Sequence, residues 1–86
     1  MKSRATGAFW NRYHTLPAEI QKIADKQYRL WISDSFHPSL NFKKVGRYWS
    51  ARVTEDYRSL GVRDGDTIIW FWIGTHREYD RLLKQQ

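Results

Sequence analysis

Tyr57-Arg58-Ser59-Leu60-Gly61-Val62-Arg63-Asp64-Gly65-Asp66-Thr67-Ile68-Ile69-Trp70-Phe71-Trp72-Ile73 decides the fold: two runs of aromatic and β-branched residues flank an Asp-Gly turn signal. With Asp64-Gly65 as the turn, Arg58, Leu60 and Val62 share a face with Ile69, Phe71 and Ile73, while Tyr57, Ser59 and Gly61 join Trp70 and Trp72. Both faces are then apolar near the centre, as expected of a strand covered on both sides. The pattern leaves open which face meets the helices.

Working backwards, the period-two pattern continues in Tyr48 to Thr54 and Leu40 to Val45, with breaks at Glu55-Asp56 and Gly46. Before Phe36-His37-Pro38-Ser39, an extended turn forced by the proline, the period becomes helical. One helix is expected from Ala8 to His14 with Thr6 as its cap, and a second from Pro17 to Ser33, where proline suits the first turn and Glu19 complements the dipole. Ile20, Ile23, Ala24, Gln27, Leu30 and Trp31 make the second helix's apolar stripe. A helical tail runs from about Thr75 to Lys84. The expected class is α+β, with two N-terminal helices packed on a four-stranded, mainly antiparallel sheet and a short C-terminal helix. Residues 1–86 are read as a single domain whose folded unit spans 6 to 84.

Eighty-six residues allow one compact core that hides only about 60% of the unfolded chain's surface. The absence of cysteine removes disulfides, thiolate zinc ligands and cysteine nucleophiles, and fits a reducing cytoplasm. The longest apolar run, Ile68 to Ile73, is far short of a membrane span, so no membrane partner is expected. Fifteen Lys and Arg against nine Asp and Glu leave a charge of +6, which favours a polyanion or an acidic protein as partner. Three scattered histidines make a weak metal site, so no metal or cofactor is expected, and His14 and His37 read as structural.

Across nearly the whole chain, several motifs together resemble the RelE/ParE toxin superfamily of type II toxin–antitoxin systems. They are the Leu16-Pro17 helix start, His37 to Leu40, Phe42 to Lys44, Tyr48 to Arg58, the Asp64-Gly65-Asp66 hairpin and Gly74-Thr75-His76-x-x-Tyr79. The stretch Tyr48 to Arg58 is most similar to the YoeB type. The resemblance implies a RelE-like fold and a metal-independent endoribonuclease that cuts messenger RNA on the ribosome and is silenced by a cognate antitoxin protein. It leaves as the alternative a ParE-type, non-enzymatic toxin inhibiting DNA gyrase, because fold does not choose between them.

The resemblance also implies the site. Arg58 matches the strand arginine at the scissile phosphate, a task suited to a guanidinium fork, with a salt bridge to Glu55 or Asp56 as its structural alternative. His76 matches the position of an acid–base histidine. Tyr79, one helical turn on, matches a tyrosine that stacks on or orients the nucleotide, or else packs with Leu82 and Leu83. Candidate RNA contacts are Lys43, Lys44, Arg52, Arg77 and Arg81. Strand alternation separates Lys43 from Lys44 and favours Lys43, and it sets Arg52 beside Tyr48, Ser50 and Thr54. Asn41 stands where a general-base glutamate is expected and cannot take a proton. Trp70 and Trp72, expected on one face, serve as core in preference to a base-stacking platform.

Overall fold

Helices α1 (Gly7–Tyr13), α2 (Ala18–Ser33) and α3 (His76–Lys84) flank a sheet of β1 (Lys2–Ala5), β2 (Lys43–Val45), β3 (Tyr48–Arg52), β4 (Tyr57–Asp64) and β5 (Thr67–Thr75) in the computed structural model, which describes residues 1–85. The sheet order is β1-β5-β4-β3-β2, with β1 parallel to β5 and the other pairs antiparallel. The architecture is the expected α+β class, with a fifth strand that hydrophobic patterning does not reveal. Lys2-Ser3-Arg4-Ala5 carries two charges in four positions, yet pairs along β5 through its backbone, from Lys2 N–H on Asp66 O at 2.8 Å to Thr6 N–H on Trp70 O at 3.0 Å. It thereby covers what would otherwise be the open edge of the most apolar strand.

Two hairpins set the register. Val45 pairs with Tyr48 and Asp64 with Thr67, so both loops have two residues, each beginning with a glycine (Gly46 and Gly65) at φ 62°. The second loop is therefore Gly65-Asp66, one residue later than the turn expected at Asp64-Gly65. That displacement moves each partner by two positions and so preserves the faces: Val62 now opposes Ile69, which the expected turn had already placed on its side.

What reverses them is a bulge. Gly61 pairs with Trp70 but Leu60 pairs with Trp72, leaving Phe71 as the extra residue of β5. Beyond it Ser59 opposes Ile73, so Leu60 gains Trp72 on its face, where Phe71 also packs, while Ile73 moves to the other side, and Trp70 and Trp72 lie on opposite faces of the sheet. A Cβ on Gly61 would sit 2.7 Å from Ile68 Cγ2 and 3.0 Å from Ile69 O, so only glycine fits the approach of the strands here.

The bulge divides the core in two. On one face, α1 and α2 cover Trp31, Leu40, Phe42, Ala51, Ile68 and Trp70, with the Trp31 ring edge-on to Trp70 at 5.5 Å and to Phe42 at 5.6 Å. On the other, α3 lays Tyr79, Leu82 and Leu83 over Leu60 and Trp72. Both tryptophans are thus buried in cores and neither offers a stacking platform.

Between α2 and β2 the chain makes a 3₁₀ turn at Pro38–Leu40, capped by the His37 ring accepting from Ser39 N–H. Asn41 then enters the left-handed region at φ 43°, a conformation that asparagine tolerates better than most side chains. The strand expected from Leu40 therefore begins only at Lys43. His14 caps α1, its backbone N–H reaching Trp10 O.

Candidate functional site

The face that carries α3 is built from alternate residues of neighbouring strands. Lys43 pairs with Ser50, Ser50 with Leu60, Arg52 with Arg58 and Arg58 with Gly74, so Lys43, Ser50, Arg52, Arg58 and Gly74 all project to this side. Lys44 pairs with Trp49 and points the opposite way. The α3 helix covers the middle of the face and leaves the Arg52–Arg58 end accessible, where Arg52 is exposed and Arg58 half-buried.

Placement of α3 follows from its first residue. Thr75 is both the last residue of β5, paired with Tyr57, and the N-cap of the helix. Its hydroxyl accepts from Glu78 N–H at 3.2 Å while its own N–H donates to Glu78 Oε1 at 3.2 Å, a complete capping box written as Thr-x-x-Glu. His76 N–H donates to Asp56 O at 2.7 Å, tying the start of α3 to the β3–β4 loop.

From the other side, Arg12 of α1 reaches across the end of the sheet. Its Nε–H donates to Ile73 O at 2.8 Å, its terminal nitrogen pairs with Glu78 at 2.7 Å, and its guanidinium lies 5.1 Å from the Trp72 ring centroid. Hydrogen bonding from Arg12, then from the Thr75 backbone, holds the Glu78 carboxyl below its ordinary range. A Cβ on Gly74 would stand 2.6 Å from Trp72 and 2.8 Å from the Arg12 guanidinium, so this clamp needs the glycine.

Within this frame Arg58, His76 and Tyr79 come to one end of the face. One terminal nitrogen of Arg58 donates to the backbone carbonyls of Thr54, Glu55 (3.1 Å) and Tyr57 (2.9 Å), binding the loop through its main chain and not through the expected carboxylates. Partial burial, then the charge of Arg52 directly opposite, push the Arg58 guanidinium down from its ordinary value, against the pull of Tyr79, Asp80 and Asp56. Like charges opposed across a strand pair are destabilising. The His76 ring is half-exposed, with Nδ1 3.1 Å from Asp80 Oδ2, so the carboxylate accepts from Nδ1–H, the tautomer that leaves Nε2 as the ring's acceptor. Tyr79 lies beneath it, 7% exposed, its ring 5.6 Å from the imidazole and its hydroxyl donating to Ser50 Oγ at 2.9 Å.

Arg77 and Arg81 are exposed on the outer side of α3, away from the Tyr79-Leu82-Leu83 stripe. Asp80, Ser50 and Arg12 are the residues that sequence reasoning missed. The four-residue spacing of His76 and Asp80 was a visible signal, whereas Arg12 lies 66 positions from Glu78 and gave none. Among the described residues, no group of three His, Cys, Asp or Glu side chains is placed to hold a metal ion, and no helix is long and apolar enough to cross a membrane.

The sequence model of the ParE-like toxin domain matches residues 18–81. Among solved structures, the chain is similar to YafQ of Escherichia coli BL21(DE3), with a TM-score of 0.72 and 12% identity over 91% of this chain and 96% of that one. It is also similar to the RelB-RelE antitoxin–toxin complex of Methanococcus jannaschii, at 0.70 and 23% identity over 91% and 96%. The YoeB/ParE toxin of Agrobacterium tumefaciens aligns at 0.67 and 19% identity over 88% and 99%. These likenesses show a RelE-like fold. No curated protein matches the chain significantly in sequence.

Proposed function

The chain belongs to the ParE-like toxin domain family, and from that premise we propose that it is the toxin of a toxin–antitoxin pair and acts as a metal-independent endoribonuclease on ribosome-bound messenger RNA. The observation that carries this reading is the Arg52–Arg58 pair. Two arginines occupy directly paired positions on one face at the accessible end of the sheet, beside an imidazole oriented by a carboxylate. Such opposition costs stability unless an anion lies between, and a phosphodiester is the anion that the neighbouring acid–base group suits.

In the reaction, a ribose 2′-oxygen bonds to the adjacent phosphorus and the bond to the 5′-oxygen breaks. The products are a cyclic phosphate and a 5′-hydroxyl. His76 Nε2 takes the 2′-proton, with Asp80 stabilising the imidazolium that forms. This assignment supplies the base that Asn41 cannot be. Arg58 and Arg52 neutralise the crowded phosphorane, and the departing oxygen takes its proton from solvent. Tyr79, buried and held by Ser50, supports His76 from below. Lys43 on the same face, and Arg77 and Arg81 on α3, hold the flanking RNA backbone, with Lys44 on the reverse side for a separate contact. An antitoxin carrying an acidic or amphipathic segment silences the toxin by covering the same cationic end, folding as it binds.

Induction without an antitoxin arrests translation in this reading, and His76→Ala or Arg52→Ala relieves the arrest, each lowering activity by about 10²-fold or more. Intact messages accompanied by DNA breaks overturn it in favour of the gyrase-directed, non-enzymatic alternative.

A further inference from the structure

A second cationic surface lies on the reverse of the sheet and at its other end. Lys44 pairs with Trp49 and Trp49 with Gly61, and Arg63 stands two residues beyond Gly61, so Lys44, Trp49 and Arg63 project to the face away from α3. Arg63 is five positions along β4 from Arg58, about 17 Å of strand. Here the two hairpin tips bound an open cleft of about 440 Å³ lined by Lys44, Arg47, Trp49, Arg63 and Gly65.

Its cations are held in place. The Arg63 guanidinium lies 5.4 Å from the Trp49 ring centroid, and its Nε–H donates to Gly65 O at 2.8 Å, so both the indole and the β4–β5 loop orient the side chain. Trp49 is seated in turn on the core, its ring 4.9 Å from that of Phe42. Lys44 comes from β2 and Arg47 from the two-residue β2–β3 loop, both exposed. No carboxylate lines the cleft, and among the described residues neither Lys44 nor Arg63 has one within ion-pair distance. The acids nearest in sequence are engaged elsewhere: Asp64 alternates to the other face of β4, and Asp66 accepts from the Thr67 hydroxyl at 3.4 Å. Three cations around one indole suit a run of phosphates, and they offer no apolar seat for an amphipathic peptide helix.

We propose that this cleft is a second RNA site, which grips the sugar–phosphate backbone of structured RNA without regard to sequence. Arg63 is its oriented fork, and Lys44 and Arg47 add charge on either side. The proposal rests on the reading of the chain as a toxin acting on ribosome-bound message and deepens it: with message on the face of Arg58, the reverse face holds the folded RNA around it. Two cationic surfaces on opposite faces and opposite ends of one sheet let the chain bridge two RNA strands, only one of which is cut.

The test follows the fluorescence anisotropy of a labelled 2′-O-methyl RNA hairpin, which lacks the 2′-nucleophile and cannot be cut, so binding is read whether or not the chain is a nuclease. Lys44→Ala and Arg63→Ala are each expected to weaken the full-length protein's binding about 5-fold at about 0.15 M salt and to lower the steepness of log Kd against log salt by about 0.9, the worth of one released counterion. The double variant should lose about 25-fold. Lys22→Ala, which removes the same charge from an exposed position on α2, is expected to change affinity by less than about 2-fold, since distant surface charges are screened. No loss in the cleft variants, or an equal loss in Lys22→Ala, overturns the proposal. So does a polyglutamate peptide that binds as tightly as the hairpin and weakens equally in the cleft variants, which assigns the cleft to an acidic protein. Lys44→Ala decides the matter where Arg63→Ala fails to fold. A chain that cuts no message yet loses hairpin affinity in these variants keeps this site and loses only the nuclease reading, whereas message cleavage with hairpin affinity unaffected removes this site alone.

Discussion

Replacing Arg12 by alanine removes one side chain that joins three elements, and the structure allows the cost to be worked out. Lost are the Nε–H bond to Ile73 O at 2.8 Å, the pair with Glu78 at 2.7 Å and the contact with the Trp72 ring at 5.1 Å. A neutral-acceptor hydrogen bond is worth about 1 kcal/mol, a partly exposed ion pair about 0.5 kcal/mol and an exposed cation–π contact about 0.5 kcal/mol. Together they give about 2 kcal/mol, which for a domain of this size lowers Tm by about 8–16 °C. The loss depends on pH with a definite sign. Because Glu78 titrates below its unfolded value, its share of the stability is fully present above that value and disappears as pH falls through the lower, folded one. Thermal melts followed by near-ultraviolet circular dichroism should therefore show a gap between wild type and Arg12→Ala at pH 7 that narrows in acid. Glu78→Gln, which retains the capping box, should close most of the ion-pair part of the gap. A variant melting within about 2 °C of wild type at pH 7, or a gap unchanged down to pH 2, refutes the clamp.

Arg52→Ala should raise stability by a few tenths of a kcal/mol in urea unfolding, since it relieves repulsion with Arg58, while abolishing toxicity on induction; a loss of stability with toxicity retained contradicts the pairing argument. Gly61→Ala should cost about 1–3 kcal/mol in the same assay, because its Cβ would stand 2.7 Å from Ile68 and 3.0 Å from a backbone oxygen; a neutral substitution would show that the bulge relaxes. Tyr79→Phe leaves buried Ser50 without its donor and should cost about 1 kcal/mol while sparing most of the toxicity, as expected of a group beneath the site; a 10²-fold loss of toxicity in a folded protein would make the hydroxyl a participant.

Elements were legible where local chemistry determines them. Pro17 and Glu19 marked the start of α2, Gly46 and Gly65 the hairpins, and alternation correctly separated Lys43 from Lys44 and set Arg52 with Ser50. What escaped has a common physical origin. The polar strand β1 owes its place to backbone pairing on the edge of β5, which leaves no hydrophobic signature, and a one-residue bulge at Phe71 inverts every face beyond it. The same inversion explains why Trp70 and Trp72 part company. It also settles which face each helix takes, with α1 and α2 over Trp70 and α3 over Trp72. In the candidate site, the residues were nameable from their types and positions, but their partners were not. Asp80, Ser50 and Arg12 act through tertiary placement, and the reach of Arg12 to Glu78 has no local trace.

Mapping RNA 5′ ends and their chemistry after induction tests the central claim most directly. Wild-type protein should generate new 5′-hydroxyl ends within translated messages, and Arg52→Ala and His76→Ala should not. New ends bearing 5′-phosphates, ends that persist undiminished in both variants, or an unchanged RNA population in arrested cells would each contradict cleavage by the Arg52–Arg58–His76 face.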